Sequence, residues 1–164
     1  GALRGSGVLE RHARRMLATG ELARGMQRFV RELLRIDEVR LATKDKAKVP
    51  AWNAELAADL ATEASLFAER VLFGQGARLR DLFVGRRAFV NDRLAALYGV
   101  SAPSTTSLVE VPAPPERVGF LTRGAFLATR AGTSESSPIK RGRAIREMFL
   151  CLKTPEPTGA IPAI

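Results

Sequence analysis

The chain has 164 residues, is 46% hydrophobic and carries a formal net charge of +9. That length suffices for one ordinary core or two small helical units, and no run approaches the roughly eighteen uninterrupted apolar residues of a membrane span. A single cysteine excludes an internal disulfide and any multi-cysteine zinc site, and it leaves the redox compartment unreadable.

The first residues, GALRGSGVLERHARRML, contain no apolar core followed by small residues, so they do not read as a secretion signal. A chain that opens on Gly without such a signal fits a processed product, an expression product or an excised piece of a longer protein. Residues 1–48 hold twelve Lys/Arg against six Asp/Glu, and residues 49–76 hold one against four. Such a basic excess suits nucleic acid, an anionic membrane surface or an acidic protein. No base-stacking aromatics are interleaved with the arginines, so a solvated helical face is the first reading.

Val8, Met16 and Leu17 predict a short helix that breaks at Gly20. In LARGMQRFVRELLRI the apolar residues Leu22, Met26, Phe29, Val30, Leu33 and Leu34 recur at three and four, with arginines opposite. KDKAKVP is a charged connector, and Pro50 is placed to start a helix over about 51–73. Its stripe is Leu56, Leu60, Ala64, Phe67 and Val71, and GQG closes it. A short amphipathic turn follows at LRDLF. Asn91 is an N-cap candidate for a helix whose Leu94, Leu97 and Tyr98 face inward, and Gly99 suits its left-handed end. Residues 101–116 form a Ser/Thr/Pro-rich loop with one candidate strand over Leu108–Val111. VGFLTRGAFLATRAG predicts a helix stopped by Gly132. After the loop TSESSP, Ser137 is a cap and Pro138 a first helical residue. Ile145, Met148, Phe149 and Leu152 make the inward stripe of the last helix, and TPEPTGAIPAI is an extended tail. The expected fold class is all-α, with about six helices, two Ser/Pro-rich loops and a Pro-rich C-terminal tail.

Little recognisable chemistry is present. Covalent haem attachment takes Cys-x-x-Cys-His, whereas Cys151 is followed by Leu-Lys-Thr-Pro. Its place in FLCLK predicts a buried, inert thiol beside Met148. His12, the only histidine, stands among Arg11, Arg14 and Arg15. Nearby positive charge would lower its pKa as a base requires, and equally as any surface His among arginines would show. Glu55, Asp59 and Glu63 lie at i, i+4 and i+8, a spacing that serves a cation, a glycan, a solvated acidic face or a docking face for basic helices. GQGAR lacks the Lys-Ser/Thr of a P-loop. The best remaining candidate is TSESSPIKRGRAIR, where Thr133, Ser134, Ser136 and Ser137 precede a helix start near Arg141 and Arg143. An anion or a propionate could sit there, or the hydroxyls could simply cap the helix. Gly142 would let another backbone come close.

AFVNDRLAALYGV (88–100) resembles the signature of the domain of unknown function 1592 family. GFLTRGAFLATRAGTSESSPIKRGRAIREMFLCLKTPEPTGAIP (119–162) is similar to the domain of unknown function 1588 family, with its Ser-Ser-Pro-x-x-Arg-Gly turn. RRMLATGELARGMQRFVRELLRIDEV also resembles the earlier helical part of the first family. The resemblance implies three segments: 1–100, a linker over 101–118, and 119–164. It also implies a periplasmic or cell-surface setting within large c-type cytochrome proteins, the so-called planctomycete cytochrome C type. No cofactor is then expected in this chain, with haem only in a partner or a flanking domain. The leading expectation is a non-catalytic structural or docking domain with a protein partner or larger assembly. The alternatives are part of an oxidoreductase that uses a partner's haem, with His12 or the Ser-rich loop lining a shared cleft, and an Arg-rich nucleic-acid-binding module.

Overall fold

The computed structural model describes residues 7–17 and 20–155. The Pro-rich tail expected beyond Pro155 lies outside the described residues, as does the side chain of Leu22. The chain divides into two compact units, Gly1–Arg35 and Ile36–Ile164.

The first unit holds α1 (Val8–Leu17) and α2 (Gly20–Leu33). Ion pairs one helical turn apart line their surfaces, as in Arg14–Glu10 at 2.8 Å and Arg28–Glu32 at 3.6 Å, with Arg24 paired to Glu21. Each such exposed pair contributes only a few tenths of a kcal/mol, ~0.3–0.5. Of the expected stripe on α2, Val30 is buried, whereas Phe29 and Leu33 remain about half exposed.

The second unit is built around α3 (Ala54–Phe73). Its stripe of Leu56, Leu60, Ala64, Phe67 and Val71 is buried, and Ala57, Ala61 and Ala68 are buried as well. Those alanines widen the buried face, so α3 is the central helix of this unit. It starts later than Pro50 implied. Asn53 is the N-cap, its side-chain oxygen accepting the Leu56 N–H at 2.7 Å. The 3-10 helix Ile36–Leu41 packs on α3 through buried Ile36 and Val39.

The all-α expectation holds only in part, because a two-stranded antiparallel sheet completes the unit. After α4 (Asp81–Val84), β1 (Arg87–Val90) pairs with β2 (Val109–Pro112), with Ala88 opposite Val111 and Val90 opposite Val109. Ala88 and Val90 are buried and Arg87 is exposed, the alternation of a half-buried strand. Between the strands lies α5 (Asp92–Tyr98), ended by Gly99 at φ 67°.

The helix expected across residues 118–132 is broken. A 3-10 turn, Phe120–Thr122, precedes α6 (Gly124–Thr129), and Arg123 between them is extended at φ −66°, ψ 146°. Gly119 enters this turn at φ 67°, ψ −173°, a region open essentially to glycine. A Cβ there would also lie 2.1 Å from the Phe83 carbonyl oxygen.

The last helix, α7 (Pro138–Met148), begins as expected on Ser137 and Pro138 but stops three residues before Cys151. The Leu150 N–H turns back to the Ile145 carbonyl, and that of Leu152 to Arg146. Cys151 takes φ 53°, the left-handed sense that commonly ends a helix, and is exposed rather than packed. Leu152 and Leu97 are likewise exposed rather than inward. No atom lies within 4 Å of a Cβ at Gly142, so close backbone approach is not its role.

Candidate functional site

The carboxylate spacing on α3 resolves into three different environments. Glu55 is exposed. Asp59 accepts from Asn91 Nδ2 at 2.9 Å and from Arg93 Nε at 2.8 Å. Glu63 is fully buried and paired to Arg123, which is itself fully buried, at 2.7 Å. Arg123 Nε donates to the Gly119 carbonyl at 3.1 Å, its Nη2 donates to the Arg87 carbonyl, and its guanidinium lies 3.9 Å over the Phe67 ring. Tyr98 donates to Glu63 at 3.4 Å and accepts the Gly124 N–H at 3.1 Å. Burial pushes the Glu63 carboxyl up, and the Arg123 guanidinium opposes that shift. Burial, with the Glu63 charge beside it, pushes the Tyr98 phenol well above its ordinary range. Every buried polar side-chain atom of this cluster has a hydrogen-bond partner within the protein, the pattern of a satisfied internal network. Sequence reasoning missed Arg123. Its one signal was an arginine inside the apolar run GFLTRGAFL.

Beside this cluster, and within the second unit, is a cavity of ≈ 330 Å³. Val49, Trp52, Leu56, Leu60, Leu97 and Leu127 make its apolar wall. Gly124 on α6 lines it where a Cβ would meet Leu60 at 2.4 Å. Three cations stand around it: Lys44, Arg117 and Arg141. Lys44 Nζ donates to the carbonyls of Ala128 at 2.8 Å and Gly132 at 2.7 Å, and lies 5.8 Å over the Trp52 ring. Burial, reinforced by the nearby Lys140 charge, holds the Lys44 ammonium below the ordinary lysine range. Arg117 donates to the Thr122 carbonyl at 2.8 Å and covers the Tyr98 ring at 4.7 Å.

The Ser-rich turn forms one side of this cavity. Ser136 bridges to Ala131 and lines the cavity, as do Thr133 and Ser134. The Thr133 carbonyl accepts the Asp45 N–H at 3.0 Å, and Ser134 Oγ lies 3.3 Å from the Asp45 carboxylate. Ser137 Oγ instead accepts the Lys140 N–H at 3.3 Å, as a cap. The structure therefore brings Ser136 and Arg141 together. Arg143 is engaged elsewhere, with Nε 2.7 Å from Glu147, and that contact with a bond from Thr154 lowers the Glu147 pKa. His12 is exposed on α1 in the other unit.

Among the described residues, no three His, Cys, Asp or Glu side chains are grouped to hold a metal. The donor set does not fit covalently attached haem either, since two thioether bonds need two cysteines and the chain has one. Among the described residues, no helix is long and apolar enough to cross a membrane.

Two family models match the chain. The first, PSD4, a protein of unknown function (DUF1592), covers residues 1–100, and the second, PSCyt3, a protein of unknown function (DUF1588), covers residues 117–164. Both are families of the planctomycete cytochrome C type. No curated protein and no solved structure matches. The Glu63–Arg123 pair joins one matched segment to the other. With its first match covering more than half of its length, the chain belongs to the DUF1592 family and continues into a DUF1588 segment.

Proposed function

We propose that the chain is a non-catalytic docking domain that seats a c-type cytochrome module within a periplasmic or cell-surface redox assembly. The observation that carries this reading is an apolar surface where α4 meets the end of α7. The Phe83 and Phe149 rings meet edge to face at 5.3 Å. Next to them in the chain, Val84 is 41% exposed and Leu150 58%, and Leu152, three residues beyond Phe149, is 47% exposed. Apolar side chains clustered this way on a charged protein mark a surface that another protein covers. The cytochrome C-type names of the two matched families support that partner class, and haem on this reading belongs to the partner. The internally satisfied Glu63–Arg123–Tyr98 cluster supports a structural role over turnover. The nucleic-acid reading is the weaker one, since Arg14, Arg24 and Arg28 are each paired to a glutamate on their own helix.

The test is co-purification with a cytochrome module encoded in the same or an adjacent gene, read by co-migration of haem absorbance. The expected result is a complex that Phe83→Ser or Leu150→Ser weakens about tenfold or more, as truncation at an interface centre does. The absence of a complex, or a complex indifferent to both substitutions, overturns the reading. So would turnover of a small substrate by the purified chain alone.

A further inference from the structure

We propose that the Trp52 cavity binds a small amphipathic carboxylate, a function separate from the α4–α7 docking surface. A volume of ≈ 330 Å³ falls at the lower end of small-ligand pockets, which combine an apolar wall with a few polar groups that fix orientation. Here the wall is Trp52, Leu56, Leu60, Leu97 and Leu127. It would take an acyl or aromatic body, and it offers little to a bare inorganic ion, which has no apolar surface to bury.

The charge around the cavity selects the sign of the head group. Lys44, Arg117 and Arg141 line it, and Glu135 is the only carboxylate among the described lining residues. Arg141 has no ion-pair or side-chain hydrogen-bond partner among the described residues, and the Arg117 guanidinium meets a carbonyl and a ring rather than a carboxylate. Lys44 uses two of its three donors on carbonyls and keeps one. Ser136, on the same wall, carries a further hydroxyl donor. A guanidinium fork matches a planar carboxylate with two parallel bonds, which favours a carboxylate over an alcohol of the same body. A cationic amphiphile would meet the same three charges as repulsion.

Trp52 is the only tryptophan in the chain, so its emission reports on this wall alone. Titration of the whole chain with octanoate, below the concentration at which it forms micelles, should give a saturable change in Trp52 emission. Octanol should bind about tenfold more weakly or worse, since a hydrogen bond to a charged group is lost. Octyltrimethylammonium should give no change. Arg141→Gln should weaken octanoate about tenfold while leaving octanol unaffected. Leu97→Glu, at a position that is already 40% exposed, should repel octanoate without disturbing the core. Circular dichroism of both variants separates lost binding from lost folding. Equal binding of octanoate and octanol would reduce the cavity to an apolar crevice and overturn the proposal. So would an absent response, or emission that follows protein concentration, which would mark a second copy as the occupant.

Discussion

At the scale of single residues, Asn91 shows how one side chain serves two purposes. Its oxygen accepts the Leu94 N–H at 3.0 Å, the cap that its position before an apolar-periodic run implied. Its amide nitrogen donates to Asp59 at 2.9 Å and to the Thr106 carbonyl at 3.2 Å, and those partners are remote in the chain. Aspartate is ordinarily as good a cap as asparagine. Here Asn91→Asp would remove the donor and face one carboxylate with another. It should therefore cost more stability than Asn91→Ser, by about 1 kcal/mol or more, measured by thermal or urea unfolding of both variants. Equal stability would show that the Asp59 contact contributes nothing. Cys151 carries the opposite lesson. It stands three residues after Met148, on the same face of a continued helix, but the helix ends first and the thiol is exposed.

At the scale of elements, α3 presents Glu55, Asp59 and Glu63 at equal spacing and gives each a different environment, because its neighbours differ along its length. Glu63 lies where β1, α5 and α6 converge, with Arg123 and Tyr98 supplied from outside α3. Removing one partner of a buried pair leaves an uncompensated charge, at a cost of about 3–5 kcal/mol. Glu63→Gln and Arg123→Met should each destabilise strongly. The double variant should lose clearly less than the sum, with a coupling of about 1 kcal/mol or more. Urea unfolding of the four proteins measures this, and additive losses would remove the pair from the account. The same arginine explains the break between the 3-10 turn and α6, since an extended residue there turns its side chain into the core rather than along a helix surface.

For the molecule as a whole, Tyr98 gives a direct report on the integrity of the second unit. It is the only tyrosine and is buried against Glu63, with the folded-state phenol raised above its ordinary value of 10.0. Because the fold favours the neutral phenol, this contribution is intact below pH 10 and is lost as pH climbs above it. Tyrosinate absorbance of the native protein should therefore stay flat through pH 10 and rise only as circular dichroism reports unfolding. The urea-unfolded chain should titrate near 10. A native titration at the ordinary value would place Tyr98 in water. The +9 charge is unevenly spread as well. Residues 1–35 hold eight Lys/Arg against three Asp/Glu, so the smaller unit carries +5 of it.

The sequence by itself determined the local grammar: the helical period of α2 and α3, the cap at Asn91, the stop at Gly99, the Ser137–Pro138 start of α7 and the family. Each depends on residues within a turn or two of one another, where backbone geometry and hydrogen-bond reach leave few choices. Only the tertiary structure decided the pairing of β1 with β2, the burial of Glu63 with Arg123, the exposure of Cys151 and the assembly of Ser136, Arg141, Lys44 and Trp52 around one cavity. Those outcomes depend on contacts between residues far apart in the chain. An arginine or a glutamate carries no local mark of whether a complementary charge will meet it inside the core or water will solvate it at the surface.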